Sequence, residues 1–239
     1  MQLYFIRHAQ SANNALWAKS GSDEGRSHDP ELTPTGKEQA RFLAEYFKAA
    51  KDPYEREGGY PYGRPALLTH IYCSLMLRSV ATGTSLARAL DLPLHALEEV
   101  FEEGGIYEED AETGSRTGLP GFGKLYFEKH YPDLILPEAM NPEGWWNREY
   151  EPPENRPQRA QIALKKILQL HGNSEDRVAL ISHGGFYNHF LKALLQIEDT
   201  GRYWFTINNT GITRIDFQDD WVGLVYCNRT DFLPESLLT

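Results

Sequence analysis

The strongest constraint in this sequence is a repeated arrangement: a short apolar run, then a polar cluster, then residues at helical spacing. Leu3-Tyr4-Phe5-Ile6 runs into Arg7-His8, Thr69-His70-Ile71-Tyr72-Cys73 into Ser74, and Val178-Ala179-Leu180-Ile181 into Ser182-His183-Gly184-Gly185. Runs of this length are strand-sized, and the unbroken apolar ones indicate burial on both faces. Between them the period becomes helical. Ala40, Leu43, Tyr46, Phe47 and Ala50 mark a helix over Leu32 to Ala50, with Thr35 and Glu38 at capping-box spacing. Leu77, Val80, Ala81 and Ala89 mark the apolar face of a second, over Met76 to Leu90. Pro157 suits a helix start, since its missing N–H is not needed there, and Ile162, Ala163, Ile167 and Leu170 give a buried stripe. Phe186 to Leu195 reads as a further helix, and Gly211 to Phe217 and Trp221 to Cys227 as a hairpin around Gln218-Asp219-Asp220. Strands alternating with helices predict an α/β fold, a three-layer α/β/α sandwich with helices on both faces of the sheet. In such sheets ligands gather beyond the carboxyl ends of the strands.

Two stretches break the pattern. Residues 51–65 are rich in Pro, Gly, Tyr and charge and read as a loop. Residues 104–156 carry many Gly and Pro with clustered aromatics, and read as an insertion or cap with short helices, one near Lys124 to His130. The 239 residues suit a single domain, 1–239, carrying that insertion.

The net charge of -10, with no strongly basic stretch, argues against nucleic-acid or anionic-membrane partners, which need a positive footprint. It leaves an anionic substrate open, because a few local arginines can hold a phosphate within an acidic protein. No apolar stretch reaches membrane-spanning length, and Met1 to His8 lacks the charged n-region and long apolar core of a signal peptide, so a cytoplasmic protein is expected. The two cysteines, Cys73 and Cys227, sit in apolar runs and read as reduced core residues.

The chemistry-bearing residues cluster where the strands end. Arg7-His8 puts a cation beside an imidazole, followed by Ser11 and Asn14. Ser74 to Thr82 follows a strand and opens a helix, whose N-terminus favours anions, with Arg78 able to grip phosphate oxygens through its fork. Ser182-His183-Gly184-Gly185 ends a strand with glycines that let a ligand approach the backbone. Glu98, Glu99, Glu102 and Glu103 precede Gly104-Gly105. Each alone has a bland reading: a capped strand end, a surface arginine, a structural histidine, a solvated acidic face. Together they hold the parts of phosphoryl transfer: cations for the spread negative charge, a neutral imidazole that can attack phosphorus, and a carboxyl group to protonate the leaving alkoxide. His28, His70, His95, His130, His171 and His189 have no motif context and read as structural or solvent-facing. The histidines lack i, i+4 spacing with acidic partners, so neither metal nor cofactor is expected.

The chain resembles the histidine phosphatase superfamily, also called phosphoglycerate mutase-like, in its phosphatase branch. Arg7-His8-Ala9-Gln10-Ser11-Ala12-Asn13-Asn14 is similar to the opening Arg-His-Gly motif, and Leu32 to Ala40 to the Leu-Thr-x-x-Gly-x-x-Gln-Ala segment. Ser74 to Thr82 matches Ser-x-x-x-Arg-x-x-x-Thr, Ser182-His183-Gly184-Gly185 the second histidine motif, and Asn209 to Thr213 the entry to a late strand. The resemblance implies a mostly parallel central sheet and a phosphomonoester hydrolase acting through phosphohistidine. His8 would be the nucleophile, with Arg7, Arg78, His183 and the Gly184 N–H around the phosphoryl group. Asn14 would contact the phosphate or support that shell. The acid/base is Glu102 or Glu99: Glu102 fits Glu-x-Gly-Gly and is favoured, while Glu99 fits Leu-x-Glu with Leu97. Ala9 departs from the usual Gly, which a negative φ would tolerate. The cap is expected to shape the pocket, with Trp145 and Trp146 either lining an apolar mouth or packing the cap core, and Arg116 either reaching a second anionic group or solvated. The expected partner is a small phosphate ester, a monophosphate with a partly apolar body. Oligomeric state stays open, a dimer included. The pairing of a neutral nucleophile with a protonated acid implies a bell-shaped pH profile on the acidic side of neutrality. A phosphoglycerate-type mutase, and a non-catalytic binding protein on the same fold, are the alternatives.

Overall fold

The computed structural model describes residues 1–49 and 67–239, so the loop expected over 51–65 and the helix end at Ala50 lie outside the described residues. In chain order the elements are β1 (Gln2–Arg7), α1 (Ala12–Ser20), α2 (Pro34–Lys48), β2 (His70–Cys73), α3 (Leu77–Leu90), β3 (Leu94–Ala96), β4 (Tyr107–Glu109), β5 (Arg116–Gly118), α4 (Lys124–His130), β6 (Leu134–Ile135), α5 (Arg156–His171), β7 (Arg177–Ser182), α6 (Gly184–Leu195), β8 (Ile212–Phe217) and β9 (Val222–Arg229).

The alternation of side chains along β1 builds the layers. Leu3 and Phe5 point to one face and Tyr4 and Ile6 to the other, and all four are fully buried. Leu3 and Phe5 join a core with Ala160, Ala163 and Ile167 of α5 and Phe186, Tyr187 and Phe190 of α6. Tyr4 and Ile6 join a second core with Leu43 and Phe47 of α2 and Leu77, Val80 and Leu86 of α3. The sheet between them has the order β6-β3-β2-β7-β1-β8-β9. Its first five strands are parallel, and β8 and β9 are antiparallel additions. The molecule is therefore an α/β/α sandwich with a mostly parallel sheet. Parallel strands all end at the same edge, and that shared edge is what positions the site.

Several local expectations shift. The cap of α2 is Thr33, whose hydroxyl accepts the Gly36 N–H at 3.0 Å, because Pro34 supplies the first helical φ and moves the start two residues upstream of Thr35. Gly36 is needed there for close approach: a Cβ would lie 2.1 Å from the Gln10 carbonyl oxygen. The buried stripe of α5 is Ala160, Ala163, Ile167 and His171, leaving Ile162 50% and Leu170 55% exposed. In α3, Gly83, Leu86 and Ala87 take the core face together with Leu77 and Val80, while Ala81 and Ala89 are only partly buried. Cys227 is exposed rather than core, because β9 is an edge strand; Cys73 is buried, and both are free thiols. Helix α1 has no buried residue and hence no apolar stripe to announce it; a capping box between Ser11 and Asn14 starts it. Within residues 104–156, β4 and β5 form a separate hairpin while β6 joins the edge of the main sheet beside β3. Strands of two or three residues carry no readable period.

Candidate active site

β1 and β7 are parallel neighbours, with Arg7 opposite Ser182, so the residues just past them emerge together. Those residues are His8 and His183, and their ring centroids lie 5.0 Å apart with planes at 56°. β2 lies on the other side of β7, and past its end the Ser74 hydroxyl is 2.6 Å from His183 Nε2. In the first turn of α3, Arg78 donates from Nε to His8 Nε2 at 3.2 Å. His8 Nδ1 is 2.7 Å from the Ala9 carbonyl oxygen. A carbonyl only accepts, so Nδ1 carries the proton and Nε2 presents the lone pair.

Three segments hold the backbone here. The His8 N–H donates to the Ser182 carbonyl at 2.8 Å, the Ala9 N–H to Thr82 Oγ1 at 3.1 Å, and Asn209 Nδ2 to the His8 carbonyl at 2.9 Å. Ala9 is not among the residues at positive φ, so its methyl fits where the family motif has Gly. Asn14 stands in the supporting shell, its Oδ1 accepting from the Ser11 N–H, the Ser11 hydroxyl and Asn209 Nδ2. Arg7 Nη1 donates to the Ile207 carbonyl at 2.7 Å, and Gly184 packs against its guanidinium, where a Cβ would sit 3.4 Å from Nε.

The two candidate carboxylates part company. Glu102 accepts from the N–H groups of Gly185 at 3.2 Å and Phe186 at 2.9 Å, capping the start of α6 immediately after His183-Gly184. Glu99 instead accepts from Lys166 of α5 at 2.8 and 3.1 Å. Gly105, at φ +78°, turns the chain after Glu102, and a Cβ there would strike Trp146 at 2.1 Å.

Burial is the main electrostatic fact. It drives the His8 imidazole well below the usual histidine range, with the Arg78 and Arg7 charges adding to the effect. His183 is depressed in the same way, first by burial and then by Arg78 and His8. Both rings are therefore neutral at neutral pH. Burial also lowers Arg7 and Arg78, opposed by Glu102 at Arg7 and by Asp29 at Arg78.

Asp29 was not anticipated. It is buried, accepts the Leu77 N–H at 3.0 Å and lies 3.7 Å from Arg78 Nη1, and desolvation pushes its carboxyl up to about 7. Arg26, three residues earlier, lies over the Tyr107 ring at 4.3 Å, and its charge acts on Arg78. Neither sits in a periodic segment, so the sequence offered no signal for them. Trp145 and Trp146 are 5% and 4% exposed and pack with Phe101 in the core, rather than lining a mouth. Arg116 pairs with Glu109 at 3.0 Å and donates to the Tyr150 hydroxyl at 2.8 Å.

The chain matches the model of the histidine phosphatase superfamily (branch 1) over residues 3–54 and 62–230, and it belongs to that superfamily. A Hydrogenobacter thermophilus protein provisionally named phosphoserine phosphatase 2 is 26% identical over 231 residues, 95% of each chain. Among solved structures, a mutant phosphoserine phosphatase from Entamoeba histolytica in complex with phosphoserine is similar with a TM-score of 0.59 and 22% identity, covering 98% of this chain and 99% of that one. The α-ribazole phosphatase of Shigella flexneri is similar with a TM-score of 0.62 and 18% identity over 96% of each chain. Both structural likenesses concern the fold. Among the described residues no helix is long and apolar enough to cross a membrane.

Proposed function

We propose that this chain hydrolyses a phosphomonoester in two steps through a phosphohistidine on His8. Its superfamily and the phosphatases it resembles support phosphate-ester hydrolysis in general. The observation that carries the finer reading is a pair of buried donors that no protein acceptor satisfies, Arg7 Nε and His183 Nδ1, beside the uncharged His8 ring. Leaving such groups unpaired costs about 1–3 kcal/mol each, more for a charged one, and a phosphoryl group brings the acceptors they lack.

In the first step the His8 Nε2 lone pair attacks phosphorus and the bond to the ester oxygen breaks. Glu102 passes a proton to that leaving oxygen. In the second step water attacks the phosphohistidine, the P–N bond breaks, and Glu102 takes the proton from water. Arg7, Arg78, His183 and the Gly184 N–H hold the equatorial oxygens as charge builds. The mechanism assigns the Ser74 hydroxyl, 2.6 Å from His183 Nε2, as the donor of that pair, which leaves the proton on Nδ1 and makes that atom the ring's free donor. The scheme needs no cofactor. The unpaired Cys73 and Cys227 fit a cytoplasmic setting.

For the substrate, Arg26, which lies over Tyr107 and whose charge reaches Arg78, favours an ester with a second anionic group over a purely apolar body. A phosphorylated amino acid or hydroxy acid has that form, and the Entamoeba histolytica relatives are seen with phosphoserine and with 3-phosphoglyceric acid.

The test compares Glu102→Gln with Glu99→Gln on phosphoserine and on an aryl phosphate. Glu102→Gln should lower kcat about 10²- to 10⁴-fold on the alkyl ester and much less on the aryl one, whose leaving group needs no proton. Glu99→Gln should stay near wild type. The opposite order would transfer the role to Glu99. Arg26→Ala should raise KM for phosphoserine while leaving that for the aryl phosphate unchanged. Isomerisation of a phosphoglycerate outpacing hydrolysis would favour the mutase, and no turnover of any ester the binding protein.

A further inference from the structure

At the edge of the sheet opposite the catalytic histidines, β2 opens with His70 and carries Tyr72 on the same face two residues on. The parallel pairing of β3 sets His95 beside Tyr72, their rings 5.5 Å apart. Helix α5 ends over this face at His171, and a short turn leads to Asp176, which precedes β7. These three segments bring two imidazoles and a carboxylate together. His171 Nδ1 is 2.8 Å from Asp176 Oδ2, and His70 Nδ1 is 3.7 Å from Asp176 Oδ1. The rings of His70 and His171 have centroids 4.6 Å apart at 53°. One ligand atom from each of the three residues lies within 4.8 Å of the others, the one such grouping among the described residues.

We propose that His70, His171 and Asp176 bind a zinc ion. Tetrahedral zinc with bonds of about 2.0–2.1 Å needs ligand atoms about 3.4 Å apart. With one atom from each of the three residues already within 4.8 Å of the others, modest side-chain rotations that exchange the present His171–Asp176 and His70–Thr69 hydrogen bonds for metal bonds would close the set. Two imidazoles and a carboxylate suit zinc better than magnesium or calcium, which prefer all-oxygen shells. The Tyr72 hydroxyl lies 3.0 Å from His171 Nε2, so it fixes the ring and leaves Nδ1 as the metal-facing atom. His171 is buried, while the side chains of His70 and Asp176 are 36% and 28% exposed, so the site is anchored inside and open to solvent for entry and for a water as fourth ligand. At roughly 3.3 Å per residue, β2 separates it from Ser74 by about 13 Å. The ion would tie the start of β2 to the end of α5 and the start of β7, and its role is to stabilise the fold apart from catalysis. The ligands come from segments about a hundred residues apart, which is why their spacing along the chain gives no metal motif.

The experiment titrates chelator-stripped full-length protein with ZnCl2 by calorimetry and thermal melting, with CoCl2 as a spectroscopic probe. Wild type should bind one equivalent and gain about 5 °C in Tm at saturating zinc. His70→Ala and Asp176→Asn, both at partly exposed positions, should each weaken binding about tenfold or more. His8→Ala should bind zinc as wild type does, which separates this site from the catalytic imidazoles. The cobalt complex should show the intense visible bands of four- or five-coordination without a thiolate charge-transfer band. The proposal fails if wild type takes up no zinc at about 100 µM free metal, a level at which the stabilisation above would be evident for any tight site. It fails equally if both substitutions leave affinity unchanged. Should either substitution prevent folding, the wild-type cobalt spectrum decides alone, and a weak six-coordinate spectrum overturns the assignment.

Discussion

The neutrality of His8 comes from its surroundings: burial and two neighbouring guanidiniums repel a proton, and in the proposed reaction the same guanidiniums would attract a phosphate. On the proposed mechanism Arg78 is not replaceable by lysine, which cannot keep the Nε contact to His8 while offering a fork to phosphate. Arg78→Lys should lower kcat/KM about 10²- to 10³-fold in steady-state assays. The same burial sets the pH dependence of stability. An unfolded chain protonates His8 and His183 below about pH 6.5, while the folded chain keeps both neutral, so stability is lost as pH falls through that value. Asp29 acts in the opposite sense. With its folded carboxyl pushed up to about 7, the native state holds a proton that the unfolded state has released, and stability falls as pH rises from about 4 to 7. Asp29→Asn should therefore gain more in Tm over wild type near pH 8 than near pH 5; an equal gain at both would show that the carboxyl is not desolvated. Arg7, His8, Arg78 and His183 were legible because each sits in a contiguous string at a strand end or helix start. Asp29 and Arg26 were not, since only tertiary packing brings their loop to Arg78.

At the scale of elements, the site is assembled from strand ends and helix starts. β1 and β7 deliver the histidines, β2 delivers Ser74, and the first turns of α3 and α6 deliver Arg78 and the Glu102 anchor. The length and apolarity of the runs made these strands readable, and helical spacing located α2, α3 and α6 to within a few residues. Expectation failed where the period misleads. In α5 the larger apolar residues Ile162 and Leu170 lie outside the core, and Ala160 and His171 lie within it. Pattern favoured Glu102 over Glu99 through Glu-x-Gly-Gly, and in the structure Glu99, within a 3-10 turn over Glu98–Val100, bonds Lys166 while Glu102 accepts from the start of α6. Gly185 belongs to this scale too. A Cβ there would lie 2.5 Å from Glu102 Oε1, so Gly185→Ala must push the carboxylate off the start of α6. The expected result is a fall in kcat on alkyl esters of about tenfold to a hundredfold, with activity on aryl phosphates largely kept. Equal losses on both would place Glu102 outside the proton transfer.

Across the whole molecule, two cores on opposite faces of one sheet leave its carboxyl edge to the chemistry, and the segment carrying Glu102 must be fastened to that edge. Arg159 of α5 fastens it. Its guanidinium makes a buried pair with Glu151 through bonds of 2.5 and 2.8 Å, donates to the carbonyls of Glu99 and Phe101, and lies 3.6 Å over the Phe101 ring. Removing one partner of a buried pair strands the other, so Glu151→Gln should cost about 3–5 kcal/mol in denaturant unfolding and reduce kcat through displacement of Glu102. A loss below about 1 kcal/mol would mean that the pair is solvated like a surface one. The central claim is covalent attachment of phosphate to His8. It is tested most directly by quenching the enzyme during turnover and locating the phosphoryl group by mass spectrometry. An acid-labile phosphoryl group on His8, absent from His8→Ala, is the predicted result. Turnover that persists in His8→Ala, or phosphate found on any other residue, would contradict it.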